Sequence, residues 1–182
     1  MNEELIRKTV EAVIAGWNEP AQAAQSGAQN SAGKTVDPDK IDTICLRAAK
    51  ALIKRVEQEA ASRGMAVVIA VADKAGHPVA IHCMDGAYIG SFDVALNKTY
   101  TSIAFKMSTA QLGKLSGPGQ PLYGIQYTNG GRIVIFGGGE PLMIGDRIVG
   151  SVGVSGGTAQ QDTDLAAFAK QYFEEVALCQ QK

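Results

Sequence analysis

The chain holds only two histidines, His77 and His82, and they bracket a Pro78-Val79-Ala80-Ile81 run. An imidazole can move a proton, bind a metal or serve as axial ligand to a haem iron. A separation of five residues puts the two rings on opposite faces of a strand. They therefore do not converge on one ion unless His77 bends away in a turn. The competing reading for each is a surface histidine or a hydrogen-bonded core histidine. Asp85, directly after the second strand, could cap the next segment, orient a ligand or pair with Lys98. Ser91 and Lys98 stand seven apart on one helical face. From there Lys98 could attract a ligand carboxylate or simply stand solvated. Gly137-Gly138-Gly139 can bring backbone N–H groups against a ligand oxygen or build a bulge. Gly150, Gly153, Gly156 and Gly157 suggest close packing or a neighbouring ligand. No nucleophile elbow and no Ser/His/Asp or Cys/His triad is evident.

The elements that must position these residues are legible in the periodicity. Asp37-Pro38 reads as N-cap and N1 of a helix carrying Ile41, Ile44, Cys45, Ala48, Leu52 and Val56, with Gly64 ending it. The apolar run from Ala66 to Ala72 is a buried strand. It turns through Asp73-Lys74-Ala75-Gly76 into a second strand, Pro78 to Met84. Ser91 is expected to cap a helix reaching about Lys106, and Ser108 a shorter one. Gly117-Pro118-Gly119-Gln120-Pro121 must be a loop. Asn129-Gly130-Gly131 predicts a hairpin between strands at Gly124–Thr128 and Arg132–Phe136. Pro141–Ile144 and Arg147–Val154 follow as strands. A final helix starts at Thr158, with Gln161 completing a capping box. The order predicts an α+β fold: a mainly antiparallel sheet with segregated helices.

In front of this lies a different composition. Leu5, Ile6, Val10, Val13, Ile14 and Trp17 form one apolar helical stripe within residues 1–17. Residues 18–36 are rich in Ala, Gln, Ser and Gly and read as a linker to a domain spanning 37–182. A helix this short is marginal alone in water, so its stripe needs a partner, its own domain or another protein. Net charge is −1 over 182 residues, which offers no electrostatic footprint for nucleic acid or an anionic membrane. No apolar run is long enough to span a bilayer, and charges interrupt the N-terminus where a secretory signal would need an apolar core. Three scattered cysteines argue for a reducing compartment and against structural zinc.

Several motifs together resemble one family. They are Met84-Asp85-Gly86-Ala87, Ser91-x-Asp93-x-Ala95-x-x-Lys98, Pro118-Gly119, the run from Gly130 to Pro141 containing Gly137-Gly138-Gly139, and Gly153-Val154-Ser155-Gly156-Gly157-Thr158-x-x-Gln161-Asp162. From about Ile41 to Val176 the chain resembles the GlcG/HbpS family, in its branch with the C-terminal domain of PduO. The resemblance implies a profilin-like three-layer sandwich around a five-stranded antiparallel sheet, homo-oligomers and, in several members, haem. It implies a ligand site among His77, His82, Met84, Asp85, Ser91, Lys98, Pro118, Gly119, Gly137, Gly138 and Gly139. His82 or His77 would be the axial ligand, with Lys98 and the triple-glycine backbone facing ligand carboxylates. It does not carry cobalamin adenosylation, which belongs to a part of PduO that this sequence does not resemble. The helix and linker resemble the encapsulation peptides that take cargo into bacterial microcompartments. The implied role is a haem-binding auxiliary protein inside a microcompartment of the bacterial cytoplasm, with shell or core proteins as partners. The alternatives are an enzyme acting on a small carboxylate or aldehyde, and a non-catalytic structural cargo.

Overall fold

The computed structural model describes residues 42–179, so the N-terminal stripe, the linker and the Asp37-Pro38 cap lie outside the described residues. Helix α1 spans Leu46–Ser62 and buries Ala49, Leu52, Ile53, Val56 and Ala60, a single stripe at helical spacing. It starts later than Ile41-Ile44 periodicity predicts, because the backbone there has a competing partner. Ile44 N–H donates to Val149 O at 2.8 Å, which seats the Ile44 side chain in the core from an extended segment. The other end matches expectation. Gly64 adopts φ +67°, and Met65 N–H reaches Ala60 O while Gly64 N–H reaches Ala61 O. Those paired bonds satisfy the last carbonyls of the helix.

Strands β1 (Val68–Asp73) and β2 (Pro78–Cys83) form the expected antiparallel hairpin. Asp73 builds the turn by accepting from Ala75 N–H and His77 N–H, each at 2.9 Å. Burial alone would raise the Asp73 pKa, but these donors and the nearby His77 ring outweigh it and hold the carboxyl below its ordinary value. Helix α2 follows at Ser91–Phe105 and α3 at Thr109–Ser116. Ser108 caps α3 as expected, accepting from Gln111 N–H at 3.1 Å. Ser91 does not cap α2: Gly90 holds that position, and the buried Ser91 hydroxyl instead accepts from Ser155 Oγ at 3.2 Å.

The hairpin expected around Asn129-Gly130-Gly131 is absent. Asn129, Gly130 and Gly131 all take positive φ, 51°, 67° and 78°, and wind into a 3-10 turn beside another at Ile125–Tyr127. Helix α2 holds this segment by side chains. Asn129 Nδ2 donates to the Tyr100 hydroxyl at 3.0 Å, Arg132 stacks 3.8 Å over the Tyr100 ring, and Val134 N–H donates to Thr101 Oγ1 at 3.0 Å. Strands β3 (Gly139–Ile144) and β4 (Arg147–Ser155) complete the sheet.

The result is a four-stranded antiparallel sheet in the order β2-β1-β4-β3, one strand fewer than expected. Helix α4 spans Ala159–Cys179 behind the expected capping box, in which Thr158 N–H donates to Gln161 Oε1 and Gln161 N–H to Thr158 Oγ1. Helices α1 and α4 cover one face of the sheet around Leu52, Ile69, Val152 and Leu165. Helix α2 covers the other through Ala95 against Val68 and Ala70. The three layers are those of the expected α+β sandwich. Strands β1 and β4, covered on both sides, are nearly continuous apolar or small sequence for that reason. Among the described residues no helix is long and apolar enough to cross a membrane.

Candidate functional site

His82 lies on β2 and reaches the α1 side of the sheet, where its Nδ1 sits 2.7 Å from Glu57 Oε1. The ring is 41% exposed, and Nε2 has no partner among the described residues. Ala80 and Met84, on the same side, pack against the core edge. A carboxylate on one ring nitrogen fixes the tautomer and leaves the other nitrogen's lone pair free. His77 stands in the hairpin turn instead. Its side chain is 79% exposed, and its Nδ1 lies 3.5 Å from Asp73 Oδ2, beyond hydrogen-bond geometry. The two histidines share no partner and no wall.

Lys98 is placed quite differently from a solvated charge or an open ligand contact. Its side chain has no exposure, and Nζ donates to Val154 O at 2.7 Å and to Asp162 Oδ2 at 2.8 Å. The Phe136 ring lies over the ammonium with its centroid 5.0 Å away. The carboxylate expected from a ligand is thus a carboxylate of the chain itself. Asp162 is also anchored, its Oδ1 accepting from Gly157 N–H at 2.9 Å. Burial lowers the Lys98 pKa, while Asp162 opposes the shift.

The triple glycine packs closely beside this ion pair. A Cβ on Gly137 would stand 1.8 Å from Thr163 Oγ1, one on Gly138 2.5 Å from Lys98 Nζ, and one on Gly139 2.8 Å from Ser102 Oγ. Gly138 also needs φ +113°. The glycines let the segment entering β3 run directly over Lys98, between α2 and α4. Of their N–H groups, that of Gly139 donates to Thr109 Oγ1 at 3.0 Å. Asp85 is exposed, and Pro118 and Gly119 are exposed in the loop after α3. Among the described residues, no hydrogen bond or ion pair joins any of them to Lys98 or a histidine. Glu140, next in the chain, has its pKa raised by burial, an effect that Lys170 opposes from 3.6 Å away.

An open depression of 380 Å³ lies between Lys74, Ile103, Lys106 and the β3–β4 turn, and neither histidine nor Lys98 lines it. Two pairings that matter to the site were not legible in the sequence. Glu57 precedes His82 by 25 residues on another element. Asp162 lay inside a quoted motif, but its pairing with Lys98 spans 64 residues.

A family model described as "Haem degrading protein HbpS-like" matches residues 44–170. The chain belongs to the HbpS-like family. An uncharacterized 15.0 kDa protein from the dhaT-dhaS intergenic region of Citrobacter freundii is 42% identical over 137 residues, 75% of this chain and 96% of that protein. The corrinoid adenosyltransferase PduO of Salmonella typhimurium is 35% identical over 103 residues, which are 57% of this chain but only 31% of PduO. A solved PduOC:heme complex superposes with a TM-score of 0.68 at 29% identity, covering 71% of this chain and 94% of that one. The HbpS-like match thus runs from α1 into the first half of α4 and includes His82 and the Lys98–Asp162 pair.

Proposed function

We propose that this protein binds haem beside β2, on the side of the sheet where α1 packs, and that His82 is the residue that would hold the iron. The observation that carries this reading is the Glu57–His82 contact of 2.7 Å on a partly exposed ring, which engages Nδ1 and leaves Nε2 without a partner among the described residues. The donor set fits the group. A carboxylate-oriented imidazole is a common arrangement for a metal ligand, and Ala80 and Met84 offer apolar surface beside the ring. His77 is held more loosely and is the weaker candidate. Bound haem would supply redox-active iron. The chain's own part is to fix the imidazole and keep its tautomer. The family description and the haem complex of a relative support the same ligand. Haem titration should produce a Soret band in the wild-type protein. His82→Ala should abolish it and His77→Ala should leave it. Glu57→Gln should weaken binding by about 10–100-fold, the usual range for loss of such a supporting group. A band unchanged in His82→Ala would overturn the assignment.

The setting belongs to the same proposal. Residues 1–17 act as a docking helix whose stripe, Leu5, Ile6, Val10, Val13, Ile14 and Trp17, binds shell or core proteins of a bacterial microcompartment. The domain behind the linker then works as a homo-oligomeric auxiliary cargo in redox or cofactor support. Similarity to PduO and to a protein of the dhaT-dhaS region supports this placement. Deleting residues 1–17 should abolish co-purification with shells and leave haem binding intact. Truncated protein that still entered shells would exclude the docking role.

A further inference from the structure

Every edge strand leaves alternate backbone N–H and C=O groups without a partner strand, and the two edges of this sheet differ in how they treat them. At β3, Val154 N–H donates to Gly138 O at 2.7 Å, and Glu140 pairs with Val152. Even-numbered β3 residues therefore face β4, and Gly139, Pro141 and Met143 face outward. Gly139 N–H is taken by Thr109 Oγ1, and Pro141 has no N–H to offer. The first half of that edge therefore offers no free N–H.

At β2, Met84 N–H donates to Val67 O at 3.1 Å, and His82 and Ala80 pair with Ile69 and Val71. The backbone groups of Ile81 and Cys83 therefore point outward. Neither has a hydrogen-bond partner among the described residues. The usual guards against pairing sit only at the start of the strand, in Pro78 and the register shift beside Ala80. Cys83 is exposed and Ile81 only half-covered by α2. Beyond the strand, Tyr88 is 73% exposed and Ile89 95% exposed, on the approach to α2.

We propose that β2 pairs antiparallel with β2 of a second copy of this chain, about a two-fold axis at Ile81. The strand is self-complementary in that register. Ile81 meets its own copy, Cys83 meets Val79, and the bulky His82 meets the small Ala80. No Lys, Arg, Asp or Glu occurs on β2, so no like charges oppose one another. Moving the axis one residue would instead set two imidazoles, each backed by Glu57, face to face. The pairing joins two four-stranded sheets into one continuous sheet and gives the free Ile81 and Cys83 groups partners. It does not depend on haem.

The test is the molar mass of the full chain by light scattering, with circular dichroism as the check on folding. The wild type should be an assembly with an even number of subunits. Cys83→Lys, at an exposed position, should halve the mass with the fold unchanged, because an edge lysine blocks strand addition. Ile81→Lys should do the same, and Ile81→Val should have no effect. Oxidation of Val79→Cys in a Cys45→Ser, Cys179→Ser background should yield a covalent dimer through Cys83 of the second copy, and the same background without Val79→Cys should not. A monomeric wild type, its edge taken by the chain's own first residues or by another protein, would overturn the proposal. So would a folded Cys83→Lys variant of unchanged mass, or a Val79→Cys variant that gives no covalent dimer.

Discussion

Replacing Lys98 with methionine is expected to destabilise the fold by roughly 3–5 kcal/mol, the range for removing one partner of a buried ion pair. Methionine keeps most of the volume, so the loss is electrostatic rather than a cavity. The Asp162 carboxylate, 4% exposed, would be left with only Gly157 N–H as donor. Val154 O would lose its side-chain donor as well. Adding Asp162→Asn should recover a large part of the cost. It removes the orphaned charge and keeps an acceptor for Gly157 N–H. Urea denaturation of the two single variants and the double variant closes the cycle. A loss under about 1 kcal/mol for Lys98→Met would mean that water reaches the pair and that the buried geometry is wrong.

The same lysine makes stability depend on pH, with a definite sign. Burial lowers its pKa in the folded chain below the ordinary 10.5. Between that lowered value and 10.5 the unfolded chain therefore holds more protons than the folded one. Stability must rise with pH across this window as far as Lys98 is concerned. Below it, the cost of burying the ammonium is present in full. Denaturation midpoints measured upward from neutral pH should show this contribution in the wild type and lose it in Lys98→Met.

Gly153→Ala is the second substitution expected to be severe, at about 3 kcal/mol or more. A Cβ at Gly153 would stand 2.1 Å from Ala95 O and 3.1 Å from Thr99 Cγ2. The nearest atom is backbone of α2, which cannot rotate aside, so helix and sheet would have to separate. Val154, the next residue, supplies the carbonyl that holds Lys98, so the strain falls beside the ion pair. Gly119→Ala is the useful contrast. A Cβ there meets nothing within 4 Å, and only the positive φ of 78° opposes it. That should cost about 1–2 kcal/mol. Thermal or urea unfolding of both variants separates crowding from backbone strain. Equal losses at the two positions would contradict the close approach of α2 to β4.

The sequence pattern was most reliable where structure is local. The Asp73 turn, the Ser108 cap, the Gly64 stop and the Thr158/Gln161 box need partners only two to five residues away, and each formed as expected. It failed where a distant group competed. Asn129-Gly130-Gly131 has the composition of a hairpin turn, but Tyr100 and Thr101 on α2 supply the partners that a neighbouring strand would have supplied. Ile44 fits helical spacing, but Val149 O claims its N–H for the sheet.

The candidate site divides along the same line. His77 and His82 stood out by themselves, because they are the only imidazoles in the chain. Which of them is oriented could not be read locally, since Glu57 arrives from a helix that only the packing of α1 on β2 brings near. By itself the sequence determined an antiparallel sheet with segregated helices, through short-range periodicity, and its motifs carried the resemblance that implied the sandwich and the family. The tertiary structure alone decided that Lys98 is paired inside the fold and that Gly138 and Gly153 are closely packed. A lysine on a helix reads as a surface charge until a carboxylate 64 residues away neutralises it. A glycine reads as a flexible point until a helix is found lying where its side chain would be.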